Sequence, residues 1–540
     1  MNLQRNFYMV TFFFTTLIIW QIWKHNDYLH TKQYENPQQV NNSSKIQQLS
    51  NDSKQDKIIL VKTDVLSLKI NTCGGDIEVA ELLSYPKTLN SSQNVVLLEN
   101  NPQLLYQAQS SIIGPNTPET NEKPIIYQAA QDTFELSNNQ KELRVPLTWK
   151  SENGVVYTKT FIFRRSQYAV DINYSINNIT NDPITVSLLS QLKQTVPITQ
   201  NANTNSLNLS SSSRIAYSTD HDKYKKYKIN DVFKGNHLNT LTNNGWIAML
   251  QKYFATAWIP HTEGNNILYT KYLNNGIAAV CCKSAPITIP AKSKQDLNAT
   301  MWIGPAIQDQ MANVAPYLDL TVDYGYLWFI SQPLFKLLRY LNSFIGNWGI
   351  SIILITLMLR CIMYPLTKAQ YISMMKMRML QPKIKLLRER AGNDQQKMSQ
   401  DLINLYKKEQ VNPLGGCLPL ILQMPIFLAL YYMLIGSVEL RQAPFAFWIH
   451  DLSSQDPYYI LPILMGITMI IIQRMSPNTV TDEVQHKVMN FMPIMFTVFF
   501  LWFPSGLVLY YTISNIITII QQKLIYRSLK KQGLYIDNIT

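Results

Sequence analysis

The sequence predicts a membrane α-helical bundle of six spans joined to an all-β sandwich domain, and three observations carry that reading. Mean hydropathy is near zero overall, yet residues 24–325 read as water-soluble while 327–525 are dominated by apolar runs. The polar part alternates apolar and polar residues with period two, and the apolar part falls into segments near the length that crosses a bilayer. Many basic residues sit beside the apolar runs, the arrangement that sets orientation in a membrane protein. The net charge of +13 over 540 residues therefore does not point to nucleic acid.

Residues 1–23 are expected to form an uncleaved signal-anchor span. The run FYMVTFFFTTLIIWQIW (7–23) follows Arg5 and ends in Trp20, Trp23, Lys24 and His25 instead of the small residues of a cleavage site. Aromatics at that point suit a membrane interface. Residues 24–56, rich in Asn, Gln, Ser and Lys, read as a flexible polar linker, since they offer little apolar surface to offset the entropy of ordering.

Residues 57–325 are assigned to the β-sandwich domain, with strand signals over 57–303. Leu66, Leu68 and Ile70 alternate with polar neighbours, as do Val170, Ile172, Tyr174 and Ile176. Leu143–Trp149, the turn Ser151-Glu152-Asn153-Gly154 and the run Val155–Phe163 spell a hairpin. Long helical periodicity is scarce, which suits a sandwich. The chain has five cysteines and no CxxC pair, so neither a disulfide framework nor a metal site is expected. Cys73, Cys281 and Cys282 read as small buried residues; one disulfide from Cys73 to the Cys281–Cys282 pair is the alternative. His221, His237 and His261 are scattered and carry no ligand spacing or nucleophile motif.

Residues 326–346 are expected to hold an interfacial amphipathic helix. Over Pro333–Ile345, Leu334, Leu337, Leu338, Leu341 and Ile345 share a face, with Lys336, Arg339 and Ser343 elsewhere. A helix packed beneath the β domain would show the same pattern. Residues 347–525 then supply five spans: Trp348–Tyr364, Cys417–Gly436, Tyr458–Ile472, Phe491–Phe503 and Leu507–Ile520. The loop 365–416 carries ten Lys or Arg against four acidic residues, while 437–457 carries only Arg441 against Glu439, Asp451 and Asp456. By the positive-inside bias, 365–416 and the tail 526–540 are cytoplasmic, both termini are inside, and 24–325 lie outside the cytoplasm. Within 365–416, two helices around Gly392-Asn393-Asp394 are expected, with Ile372, Met375 and Met379 on one face of the first and Leu402, Leu405 and Tyr406 marking the second.

Arg360 stands inside the otherwise apolar run ISIILITLMLRCIMY. An intramembrane arginine costs about 2.5–3.5 kcal/mol on insertion scales and usually faces a cavity or a partner. It also lies four residues before Tyr364, near enough to the span end to snorkel to the headgroups. Position alone fits both placements. No acidic residue lies in any span, so a water-filled groove open to the cytoplasm is the economical setting, with Gln423, Ser514 and Asn515 as its polar lining.

The stretches GNWGISIILITLMLRCIMYPLTKAQY, MRMLQPKIKLLRER, NPLGGCLPLILQMPIFLALYYML, QAPFAFWIHDLSSQDPYYILPILMG and FFLWFPSGLVLYYTISNIITIIQQ resemble the YidC membrane protein insertases. The resemblance covers about 325–530 in order. The anchor, linker and β domain are similar in layout to the Gram-negative form, with its large periplasmic domain. It implies a bacterial inner-membrane protein that integrates newly made membrane proteins and helps them fold, alone or with the Sec translocon. It also implies that the groove charge is Arg360, and that Tyr364, Met424, Phe427, Tyr510 and Tyr511 meet the passing substrate helix. Ribosome and signal recognition particle contacts would fall to 365–416 and the tail, although the short tail lacks the long basic extension of some relatives. Partners are then nascent membrane proteins and the lipid bilayer. No enzyme activity, catalytic residue, metal or cofactor is expected, and no GxxxxGK[ST] motif is present for a nucleotide. The rival readings are a solute channel or transporter, and a sugar-binding or sugar-isomerising β domain on a membrane stalk.

Overall fold

The period-two pattern of the polar region becomes two packed β-sheets in the computed structural model. The structure describes residues 57–89, 91–101, 104–114, 125–195, 214–233, 235, 237–262, 264–273, 276–391, 394–409, 418–475 and 483–531. These fall into a β unit ending at Val322 and a helical unit beginning at Asp323. The expected anchor 1–23, linker 24–56 and tail beyond Lys531 lie outside the described residues.

The β unit holds an eleven-stranded and a nine-stranded sheet. Leu66–Asn71 buries Leu66, Leu68 and Ile70, and Ala169–Asn178 buries Val170, Ile172, Tyr174 and Ile176. The expected hairpin pairs Glu142–Lys150 with Val156–Arg164, Leu143 lying opposite Phe163 and Trp149 opposite Tyr157. Gly154 closes its turn onto the Ser151 carbonyl (2.9 Å) with a φ of +92°, a conformation that favours glycine. Each apolar side chain buried in this way contributes about 1.5–3 kcal/mol.

Polar side chains join the sheets. Tyr106 of Leu104–Ile113 bonds Thr256 of Phe254–Pro260 through their hydroxyls, and Tyr174 donates to the Ser110 carbonyl at 2.6 Å. Lys159, at the centre of Val156–Arg164, points into the sandwich and is wholly buried. Cys281 and Cys282 are buried thiols, pushed up by that burial to about 11 and about 12, and the alternative disulfide from Cys73 to that pair is not formed. The small-residue reading holds for the pair. His261 bonds Thr300 (2.7 Å), and among the described residues no group of His, Cys, Asp and Glu is placed to hold a metal.

Short helices α1 (Ile229–Phe233) and α2 (Gln308–Val314) belong to the β unit. The helical unit opens with α3 (Trp328–Ile345), which starts before the expected Pro333. Its buried residues are Ser331, Phe335 and Leu338, the Ser331 hydroxyl donating to the Ala429 carbonyl at 2.9 Å. Leu334, Leu337, Leu341 and Ile345 are half-buried, while Tyr340 and Phe344 stand exposed edge-to-face at 4.9 Å. There follow α4 (Trp348–Ile362), α5 (Tyr364–Met379), α6 (Gln381–Ala391), α7 (Gln395–Lys408), α8 (Leu418–Gly436), α9 (Ile460–Met475), α10 (Glu483–Phe500) and α11 (Ser505–Lys531).

Three differences from the sequence reading have physical causes. The basic region 365–416 forms α5, α6 and α7 instead of two helices, because Pro382 lacks an N–H and its ring opposes the carbonyl one turn back, so α5 stops at Met379. The buried face of α5 is Tyr371 and Met375, packed on Ile525 and Leu529 of α11, with Ile372 only at its edge and Met379 exposed. The six long spans do not emerge as such. Among the described residues no single helix is long and apolar enough to cross a membrane, and α4 and α5 meet that condition only as a pair bent by 58°. Pro365, the second residue of α5, has no N–H to continue α4, and α10 carries Glu483 and Lys487 in its first turns.

The acidic loop 437–457 serves the architecture. Asp456, 1% exposed, accepts from Trp448 Nε1 (3.0 Å) and from the backbone N–H groups of Tyr458 (3.1 Å) and Leu461 (2.8 Å), and so caps the start of α9. Asp451 ties the loop in the same way, accepting from the Gln442 and Ser453 N–H groups at 3.0 and 2.8 Å.

Candidate functional site

The last turn of α4 brings Arg360 against α11. Its Nε donates to the Ser514 hydroxyl at 2.7 Å and its Nη2 reaches the same oxygen. The guanidinium therefore turns inward to a neighbouring helix, and the residue is half-buried. Five N–H groups sit on a guanidinium, and these contacts engage only two of them. Among the described residues no carboxylate pairs with Arg360. Its backbone carbonyl accepts from Gln521 Nε2 at 3.0 Å.

The other expected lining residues go elsewhere. Gln423 of α8 donates to the Tyr510 hydroxyl (2.9 Å), and Asn515 donates to Thr468 of α9 (3.1 Å). Residues adjacent on a helix point about 100° apart, at 3.6 residues per turn. Ser514 and Asn515 consequently cannot both face Arg360, whereas Ser514 and Gln521, seven residues apart, share a face. Gln521 lies one residue past the expected end of the last span at Ile520, which is why the sequence reading passed over it.

The expected substrate contacts also divide. Tyr364 is the first residue of α5, exposed, beyond the break after α4. Met424 is half-buried on α8. Tyr510 is 2% exposed, with its hydroxyl held by Gln423. Phe427 and Tyr511 join an aromatic cluster: Phe427 lies 6.0 Å from Phe500 and 5.7 Å from Tyr511, and Phe500 lies 5.0 Å from Phe503. The cluster, extended by Tyr431 and Phe499, had no signature in spacing because it draws on three helices and the segment after α10. The interior thus has a polar section around Arg360 and an aromatic section around Phe500.

The outward faces of these helices are apolar. Ile362 on α4 is 72% exposed, Ile463 on α9 52%, Phe491 on α10 61% and Ile520 on α11 53%. Such a surface is costly in water and suited to lipid.

Residues 58–337 match the family described as the YidC periplasmic domain, which is more than half of the chain, and residues 340–532 match the 60Kd inner membrane protein family. A crystal structure of an active YidC insertase with its first transmembrane domain resolved matches over 88% of this chain and 93% of its own, at 19% identity and a TM-score of 0.38. A galactose mutarotase related enzyme from Lactobacillus acidophilus matches over 46% of this chain and 97% of its own, at 11% identity and a TM-score of 0.31.

Proposed function

The chain belongs to the YidC family of inner-membrane proteins with a periplasmic domain, and on that premise we propose that its insertase activity works through the polar interior around Arg360. The observation that carries this reading is the inward turn of Arg360 onto Ser514, with no acidic partner among the described residues. A snorkelling arginine would extend toward the end of its helix.

A substrate's hydrophilic flank must pass an apolar slab, where each charge costs about 2.5–3.5 kcal/mol. A groove open to the cytoplasm shortens the slab. The N–H groups of Arg360 that no described residue engages attract a carboxylate on the entering flank, and the attraction is stronger there than in bulk water. The aromatic cluster closes the other end against water and ions. The substrate's own apolar helix leaves along the lipid-facing sides of α4, α9 and α10. Partition into lipid is the driving force. The chain acts alone or beside the Sec translocon and assists folding, and 365–416 offers the basic surface for a ribosome or signal recognition particle.

The proposed topology has six spans, both termini cytoplasmic, and the β unit in the periplasm. In a cysteine-free variant of intact cells, Thr120→Cys should react with an impermeant thiol reagent and Gln395→Cys should not; the reverse pattern overturns the topology. Depleting the protein in its host should leave small membrane proteins uninserted within one growth cycle, and unchanged protease protection of those proteins would sink the insertase reading.

A further inference from the structure

We infer that Gln521 is a positioning residue for Arg360, holding the end of α4 at the depth where the guanidinium works; the inference rests on the groove reading. The last four carbonyls of an α-helix have no partner within it. In α4 these belong to Leu359, Arg360, Cys361 and Ile362. Helix α5 leaves at 58°; its Tyr364 N–H makes no bond to the Arg360 carbonyl, and Pro365 has no N–H for the carbonyl of Cys361. The Leu359 carbonyl takes the Met363 N–H at 3.0 Å, and the Arg360 carbonyl takes Gln521 Nε2 at 3.0 Å. A carbonyl can only accept, so the Gln521 amide must present its nitrogen. A donor is needed there, since a carbonyl buried against Gln521, which is itself almost wholly buried, is costly to leave bare.

Arg360 is thus held at two points by one face of α11: Ser514 on its side chain and Gln521 on its backbone, two turns apart. One and two turns further along, Ile525 and Leu529 pack against Tyr371 and Met375 of α5. Helix α11 therefore splints both sides of the break, and Gln521 sits at the break itself, only 7% exposed. Losing its N–H leaves the guanidinium in place chemically but releases the turn that aims it.

The test compares two variants at equal abundance in vesicles. Gln521→Met keeps length and removes the donor. Gln521→His keeps an N–H. The probe is a single-span protein with two aspartates in its translocated flank, alongside the same protein with asparagines there, and insertion is read by protease protection. Gln521→Met should lower insertion of the acidic probe about fivefold and leave the neutral probe within twofold, with Gln521→His near wild type. In an Arg360→Ala background Gln521→Met should have no further effect. Equal losses for both probes, normal insertion of the acidic probe, or an additive loss on Arg360→Ala would each overturn the inference. If Arg360→Ala alone inserts the acidic probe normally, the groove reading itself fails, which is a separate result.

Discussion

Replacing Arg360 with alanine should lower insertion of a substrate with an acidic translocated flank by about tenfold or more, which corresponds to at least ~1.4 kcal/mol of lost attraction. Glutamate at the same position should abolish it, since the flank would meet a like charge at low dielectric. Lysine should fall between. It keeps a positive charge at that depth, but it has no Nε to give the Ser514 hydroxyl and no planar fork to give Nη2 as well. Neutralising the substrate's acidic flank should remove most of the alanine defect, because the two changes then delete the same interaction. A headgroup anchor would behave otherwise. Glutamine at 360 with a lysine introduced nearby would serve as well as the native residue, and the substrate's charge would not matter. Protease protection in vesicles carrying each variant at equal abundance separates the two outcomes, and full insertion by Arg360→Ala rules out the groove.

What the sequence makes legible is what depends on period. Alternation locates Leu66–Asn71 and Ala169–Asn178 with their buried faces, because a strand sends every second side chain to the same side. The hairpin of Glu142–Lys150 and Val156–Arg164 follows from the same rule plus a glycine turn. The site is legible only one residue at a time. Arg360 stands out because a charge in an apolar run is expensive, but its partner depends on how α4 and α11 are rotated about their axes, which no single helix encodes. The adjacent pair Ser514 and Asn515 read alike in sequence, and helix geometry sends one to Arg360 and the other to Thr468. Gln521 was hidden by a different cause: polar residues at the end of an apolar run look like the start of the aqueous tail, whereas α11 continues unbroken to Lys531. Pro382 was visible as a residue, but the glycine-asparagine turn ten residues on drew the boundary away from it. Lys159 was concealed by its own strand, where one cation in a run of aromatics and threonines does not disturb the alternation.

Lys159 carries the other large expected effect. It occupies an inward position of Val156–Arg164, between Tyr157 and Phe161, and is 0% exposed. Its Nζ donates to the carbonyls of Gly75 (2.7 Å), Ser110 (3.0 Å) and Gly74 (3.3 Å), and lies 5.1 Å from the Phe161 ring centre. Gly74 and Gly75 make the turn that aims two of these carbonyls, with φ of +75° and +62°, and a Cβ on Gly75 would stand 3.1 Å from the Lys159 side chain. The ammonium thus bolts a turn and a strand of the eleven-stranded sheet to a strand of the nine-stranded one. Lys159→Met keeps the bulk and leaves three carbonyls without their donor, so the β unit should lose about 3 kcal/mol of stability. The loss should depend on pH through Asp76, which follows Gly75. Burial pushes Asp76 up to about 6 from 3.8, and the charges of Lys159 and Lys193 pull it back. A carboxyl raised in the folded state favours folding while protonated and opposes it as pH rises past its folded value. Without Lys159 that folded value climbs further, so the deficit of Lys159→Met should be larger at pH 8 than at pH 5. Adding Asp76→Asn should recover the difference between the two pH values and no more, because the three carbonyls remain bare. Pulse proteolysis of the full chain across a urea series, scored on the β unit, measures all three variants. A deficit under 1 kcal/mol, or one equal at both pH values, would show that the lysine is only a space-filling part of the core.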